Sequence, residues 1–263
     1  MKFTLLSAVC LLAITAVQAQ QKEGKVIYER TTQMQLRLAD AGETAQDIPR
    51  TRVDRFELNF ANGQMTLRTV EEPFADEPVN AGGGMMIRTV GAGADDIVFC
   101  DFTKSKKLEQ RDFLDKKFLI TDSIKRGNWK LEEETKTILG YQCRKATSQR
   151  IGKRAMITMD NGQMVRKEVE DTSAIVAWFT TDIPVAAGPD VQGQLPGLIL
   201  ELETNNGRSV YKAVEFSPKP NMSALKEPSK GKKVTAEQFS NERMKIMEEM
   251  QKNNGGNFRI RVG

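Results

Sequence analysis

Histidine is absent from all 263 residues. That absence removes the commonest transition-metal ligand, the usual general base near neutral pH, and the Ser-His and Cys-His nucleophile pairs. Cysteine is nearly as scarce, with Cys10, Cys100 and Cys143 the complete set; two or three thiols without histidine make a poor zinc site, and no cofactor is expected. After residue 14 no apolar run approaches the roughly 20 residues of a membrane helix, so no transmembrane segment is expected beyond the start of the chain. A dominant charge is missing too. Lys+Arg number 39 against 35 Asp+Glu, a surplus too small to argue for nucleic acid as a partner.

What is present begins with an export signal. Lys2 supplies a positive start, Phe3 to Ile14 a compact apolar run, and Val17-Gln18-Ala19 the small side chains that a signal peptidase reads. Residues 1–19 are therefore expected to be a cleavable signal peptide, cut before Gln20. Cys10 leaves with it. In an oxidising compartment Cys100 and Cys143 become a disulfide candidate, the other reading being two separate buried thiols that behave as small apolar side chains.

Three Asn-Gly dipeptides, at Asn62, Asn161 and Asn206, sit between short alternating or apolar runs, the pattern of two-residue type I′ hairpins. Phe56 to Phe60 and Met65 to Arg68 flank the first, and Leu198 to Leu202 and Val210 to Phe216 flank the third. Further strands are predicted at Lys25 to Thr31, Ile97 to Phe102, Lys117 to Thr121, Ile138 to Ala146, Ala155 to Met159 and Ile175 to Thr180. The fold class is mainly β: a curved antiparallel sheet or half-open barrel with one C-terminal α-helix.

Residues 20–216 are expected to form this β domain, interrupted at about 73–94 by a Gly/Pro-rich loop centred on Gly82-Gly83-Gly84. That loop lacks the Lys-Ser/Thr pair of a phosphate cradle. Residues 217–233, with three prolines among several lysines, read as a surface linker. Thr235-Ala236-Glu237-Gln238 fits a capping box, and Phe239, Met244, Met247 and Met250 recur near helical spacing. Residues 234–263 are thus a helix and tail packing on the β domain through a Met-bearing face. The tail Phe258-Arg259-Ile260-Arg261-Val262 alternates as an edge strand would.

The segment from Trp178 to Pro189, leading into Gln194-Leu195-Pro196-Gly197-Leu198-Ile199-Leu200, together with Trp129-Lys130-Leu131 and Thr135 to Thr147 upstream, resembles the GLPGLI family of exported proteins of unknown function. The likeness spans roughly Arg111 to Phe216, and Gln194 stands where the family's name motif has its first glycine, with Gly193 just before it. The resemblance implies an address, the periplasm or cell envelope of a Gram-negative bacterium, and an architecture. It implies no reaction and carries over no catalytic residue.

Physically, Leu195-Pro196-Gly197-Leu198 reads as a type II turn, with Gly197 supplying a positive φ. The functional rival makes the loop the rim of a groove, with Trp178, Phe179, Asp182, Pro184, Leu195, Pro196 and Gly197 as candidate ligand- or partner-binding residues. Without histidine a hydrolase would need paired carboxylates or a Ser-Lys pair; Glu132-Glu133-Glu134 and Asp95-Asp96 read instead as solvated faces, and Trp129, Tyr141 and Trp178 as core anchors before sugar platforms. The function expected is an exported binding or interaction protein, holding an apolar chain, a lipid or an outer-membrane protein segment. The alternatives are a metal-independent envelope hydrolase and a structural accessory of an outer-membrane receptor.

Overall fold

The computed structural model describes residues 21–36, 48–70, 79–81, 85–87, 96–160 and 163–253. The expected signal peptide, most of the 73–94 loop, Asp95, the Asn161-Gly162 turn and the 254–263 tail lie outside the described residues. The chain passes through β1 (Gly24–Leu36), β2 (Ile48–Ala61) and β3 (Gln64–Thr69), then the short β4 (Val79–Ala81) and β5 (Met85–Ile87), then β6 (Ile97–Asp101), β7 (Lys106–Phe113) and β8 (Lys116–Ser123). It continues with β9 (Lys130–Ile138), β10 (Tyr141–Asp160), β11 (Gln163–Thr180), β12 (Leu198–Thr204), β13 (Ser209–Ser217), β14 (Lys232–Thr235) and helix α1 (Ala236–Asn253). Strands β4 and β5 pair with each other, and the other twelve form one sheet in the order β14-β8-β7-β6-β3-β2-β1-β13-β12-β11-β10-β9. The sheet is curved and open rather than closed into a barrel.

Tight turns impose most of that order. Asn62 and Gly63 both take positive φ, 53° and 72°, the type I′ pattern that matches strand twist. Two other hairpins put leucine in the left-handed region. Leu114 (φ 57°) turns β7 into β8, and Leu139 (φ 51°) with Gly140 (φ 83°) turns β9 into β10. A left-handed leucine costs roughly 1–2 kcal/mol, so neither turn is signalled by its residue types, and the run read as one strand from Ile138 to Ala146 is divided by the second. The Asn206-Gly207 turn also needs correcting. Thr204 pairs with Ser209, leaving a four-residue loop in which Asn205, Asn206 and Gly207 all have positive φ; Asn205 is the extra left-handed residue, and the Asn206 Oδ1 accepts a bond from the Ala174 amide at 2.8 Å.

The inner face of the sheet carries the main core. Val26, Leu58, Leu67 and Val98 are register partners across four strands, and all are buried in one cluster that extends to Ala177, Leu202 and Tyr211. A second cluster lies on the outer face, where Asn59, Thr66, Phe99 and Leu108 follow one another in register and are buried. They are covered because the stretch read as a surface linker, residues 217–233, is tied down across them. The Asn221 amide donates to Asn59 Oδ1 at 2.7 Å, Glu227 pairs with Lys106 at 2.5 Å, and Pro228 is buried. Gly231, at φ 110°, then passes so close to the β8 backbone that a Cβ would sit 2.7 Å from the Lys117 carbonyl carbon. The chain enters the sheet there as β14, parallel to β8.

Helix α1 begins with a reciprocal capping box: the Gln238 amide donates to Thr235 Oγ1 at 3.2 Å, and the Thr235 amide donates to Gln238 Oε1 at 2.9 Å. Two backbone donors at the helix start are thereby satisfied. The helix seats on the inner face against Phe113, Phe118, Ile120 and Val234. Phe239 meets Phe118 edge-on at 5.1 Å between ring centroids, Ile246 is buried, and the Arg243 guanidinium lies over the Phe113 and Phe239 rings. The expected Met-bearing face is corrected at Met244, which is 47% exposed, while the side chains of Met247 and Met250 lie outside the described residues. Positions 239, 243 and 246 lie on one helical stripe, and 244 falls beside it.

One pair of strands outgrows the sheet. Strands β10 and β11 pair from Arg144↔Phe179 out to Asp160↔Gln163. β9 follows β10 only to Thr147 and β12 follows β11 only to Val176. The remaining thirteen residues of β10, 148–160, and their partners form a two-stranded arm that projects about 40 Å at ordinary strand rise.

Candidate functional site

The segment expected to rim a groove is itself core. Residues 181–197 leave β11 and fold back so that Ile183, Ala187, Val191 and Leu195 join the inner cluster. Backbone bonds lock them there: Leu198 donates to the Ile183 carbonyl and Ile199 to that of Ala187, both at 3.0 Å, and Gly193 to that of Ala186 at 2.7 Å. The Tyr28 hydroxyl, fully buried, donates to the Ile199 carbonyl at 2.5 Å. Of the expected site residues, Phe179, Leu195 and Gly197 are buried inside, Pro184 is half-buried, and Asp182 and Pro196 are exposed. The structure does not gather them around one opening.

The type II turn at Leu195-Pro196-Gly197-Leu198 is corrected as well. Positive φ belongs to Gly193 (76°) and not to Gly197, and the Leu198 amide is spent on Ile183. Gly197 is demanded by proximity: a Cβ there would lie 2.0 Å from the Thr180 carbonyl oxygen. Gln194, where the family motif has glycine, has a structural task. Its Oε1 accepts a bond from Trp129 Nε1 at 3.0 Å and fills the notch left by Gly127, where a Cβ would come within 2.1 Å of it. Trp178 is buried as a member of the main cluster and lies under a cationic lid, with Lys136 Nζ 4.1 Å and Lys145 Nζ 5.9 Å from its ring centre. Lys136 bonds Glu201 at 2.6 Å and Lys145 bonds Glu134 at 2.8 Å, so the indole is covered rather than offered to a ligand. The Glu132-Glu133-Glu134 run lies in strand β9, and Glu132 also accepts from Thr147 Oγ1.

Two polar clusters interrupt the inner face. In the first, Asp54 is shared by Arg30 at 2.6 Å and Arg52 at 2.7 Å. Arg30 also reaches the Tyr211 hydroxyl, which donates to Asp190 Oδ1 at 3.3 Å, and its guanidinium lies over the Phe56 and Tyr211 rings. This arrangement latches the tip of the 181–197 loop to the sheet. The second runs along β7: Glu109 is bonded by Lys107 at 2.7 Å and Arg111 at 2.8 Å, and Arg111 also by Asp96 at 3.0 Å. Burial pushes the Glu109 carboxyl up, but the two cations outweigh it and hold it below the usual range. Asp101 is held low by the Thr103 hydroxyl, with help from Gln64 and the Lys104 amide. Among the described residues the shifted carboxylates are Asp101, Glu109, Glu132 and Glu242, all shifted downward, the direction opposite to a general acid. Among those residues no three His, Cys, Asp or Glu side chains converge on a metal position, and no helix is long and apolar enough to cross a membrane.

The disulfide expectation is corrected. Cys100 and Cys143 are free and buried, on β6 and β10, with six strands between them in the sheet order. Burial pushes the Cys100 thiol up to about 12 and that of Cys143 up to about 11, so both are inert apolar fillers.

What stays open is the arm. Its base is braced, with Asn206 bonding Ala174 and the Ser148 hydroxyl donating to the Asn128 carbonyl at 2.7 Å. Beyond that point no described strand pairs with either of its edges, and Ile151 is 74% exposed. The β1–β2 ribbon overshoots at the same end of the sheet, pairing out to Leu36↔Ile48 while β13 follows β1 only to Thr32.

A family model described as "Protein of unknown function (Porph_ging)" matches residues 129–201, little more than a quarter of the chain. This fits the expected family of unknown function, though under that name and not as GLPGLI. The matched stretch holds β9, the arm, the 181–197 loop and the start of β12. No curated protein matches. Among solved structures, the chain is similar to PNGF-II in a P21 crystal form, with TM-score 0.50 and 16% identity over 85% of this chain and 34% of that one. A C2 form of PNGF-II gives TM-score 0.46 and 17% identity over 82% and 32%. The chain spans about a third of the length of these proteins, and at such identity the likeness is one of fold.

Proposed function

We propose that this chain is an exported interaction protein of the periplasm or cell envelope of a Gram-negative bacterium, one that engages its partner through the β10–β11 arm. The projection of that arm beyond both neighbouring strands carries the reading. An isolated two-stranded ribbon is marginal in water and its edges are rows of unpaired donors and acceptors, so an arm of this length is best accounted for by a partner. The leader-like residues 1–19 and the likeness to the GLPGLI family support the address. The inner face, where an apolar chain would have lain, is occupied by the chain's own 181–197 loop and helix, which moves the proposed contact to the arm. The hydrolase alternative gains nothing from carboxylates that are ion-paired and shifted down.

A photoreactive residue placed at Ile151, on the arm, and at Met244, exposed on the helix, tests this in native envelopes. Crosslinked products concentrated at 151 are expected. Equal or fewer products at 151 than at 244 would sink the proposal.

A further inference from the structure

We infer that the open edge of β11 accepts, as an added strand, the C-terminal segment Phe258-Arg259-Ile260-Arg261-Val262 of a second copy of this chain. The inference rests on the reading of the arm as an interaction element and names its occupant.

The Ala174 amide points away from β10, toward Asn206. Because backbone polar groups alternate along a strand, Thr172, Glu170, Glu168 and Arg166 likewise present N–H and C=O to the edge that β12 leaves uncovered beyond Val176. That stretch of β11 reads Arg166-Lys167-Glu168-Val169-Glu170. The tail reads Arg259-Ile260-Arg261, two cations at the spacing of the two glutamates, with an apolar residue between in each. An antiparallel register that sets Arg259 opposite Glu170, Ile260 opposite Val169 and Arg261 opposite Glu168 joins two opposite-charge pairs and one apolar pair, the combinations that stabilise neighbouring strands. β10 offers no such match: from Tyr141 to Met159 it has Arg144, Lys145, Arg150, Lys153 and Arg154 and no carboxylate, and two arginines beside it would repel. Strand addition supplies main-chain bonds, and the alternating side chains supply selectivity.

A second copy is favoured over the chain's own tail by where the helix sits. α1 packs at β8 and β14, at one end of the sheet order, and β11 is tenth of the twelve strands counted from that end. Only four residues separate Asn253 from Phe258, a reach of about 17 Å. Two copies related by a twofold axis exchange tails reciprocally, which closes the assembly as a dimer.

Light scattering on the purified protein across a wide range of concentration provides the test, with E168R/E170R, R259E/R261E, the combined fourfold exchange, and R261P. A concentration-dependent dimer is expected. Either double variant weakens it roughly tenfold or more, the fourfold exchange restores it, and R261P abolishes it by removing a main-chain donor that faces Glu168 in the added strand. A protein that stays monomeric throughout, or a dimer indifferent to all four variants, overturns the inference. Weakening by both double variants without rescue in the fourfold exchange also overturns it, because the pairing would then be something other than Arg to Glu. The Ile151 crosslinks are read independently: their persistence in a monomeric protein leaves the arm as an interaction element for another partner, and their loss removes that reading too.

Discussion

Glycine 197 and glutamine 194 stand in the same motif and are there for different reasons, neither visible in the residue types. At Gly197 the Thr180 carbonyl oxygen would lie 2.0 Å from an added Cβ, and that neighbour is backbone and cannot swing away. Gly197→Ala is therefore expected to cost more than about 3 kcal/mol, the range of severe overpacking, read as a large fall in urea midpoint. A loss under 1 kcal/mol would mean the close approach is not as drawn. Gln194 instead fills a notch that Gly127 makes. The cysteines repeat the lesson. Two thiols in a chain expected to be exported invite pairing, yet burial raises both pKa values and keeps them protonated at neutral pH. Thiol reagent without reductant should label neither Cys100 nor Cys143 at an appreciable rate in the folded protein and both after unfolding. No labelling after unfolding would show them bonded.

Helix α1 illustrates how far an element is legible before its tertiary contacts are known. Its start was readable because a capping box is a local contract between Thr235 and Gln238. Its docking face was not, because methionine and isoleucine satisfy the same spacing and only the position of Phe113 and Phe118 chooses between them. Ile246→Ala is expected to destabilise by about 2–4 kcal/mol, and Met244→Ala by less than about 0.5 kcal/mol, compared by thermal melts of the two variants. Comparable losses would return Met244 to the docking face. The turns behave alike. Asn62-Gly63 announces itself, whereas Leu114 and Leu139 hold left-handed conformations against their own preference, with pairing on both sides of each turn to hold them.

At the scale of the molecule the outer face is decisive. Phe99, Leu108 and Leu119 form a cluster on the side away from the main core, and the 217–231 strap crosses that face on its way to β14. A chain ending at Ser217 loses the strap, β14 and α1 together, and uncovers both this cluster and the Phe113-Phe118 cluster. It should bind a hydrophobic dye strongly and aggregate at β8, then left as an open edge. A monomeric, dye-negative truncation would show that the β domain needs no covering.

The sequence by itself determined the class of the fold, the hairpins whose turn residues carry a positive φ without strain, the helix start, and the exclusion of histidine chemistry. These are local or compositional matters. Only the tertiary structure decided that the Pro/Gly-rich 181–197 segment plugs the core, that the lysine-rich stretch after β13 straps the outer face, and that β10 and β11 outrun their neighbours. Each depends on which distant backbone or side chain comes alongside, a property of sheet order and register that no short window of residues contains.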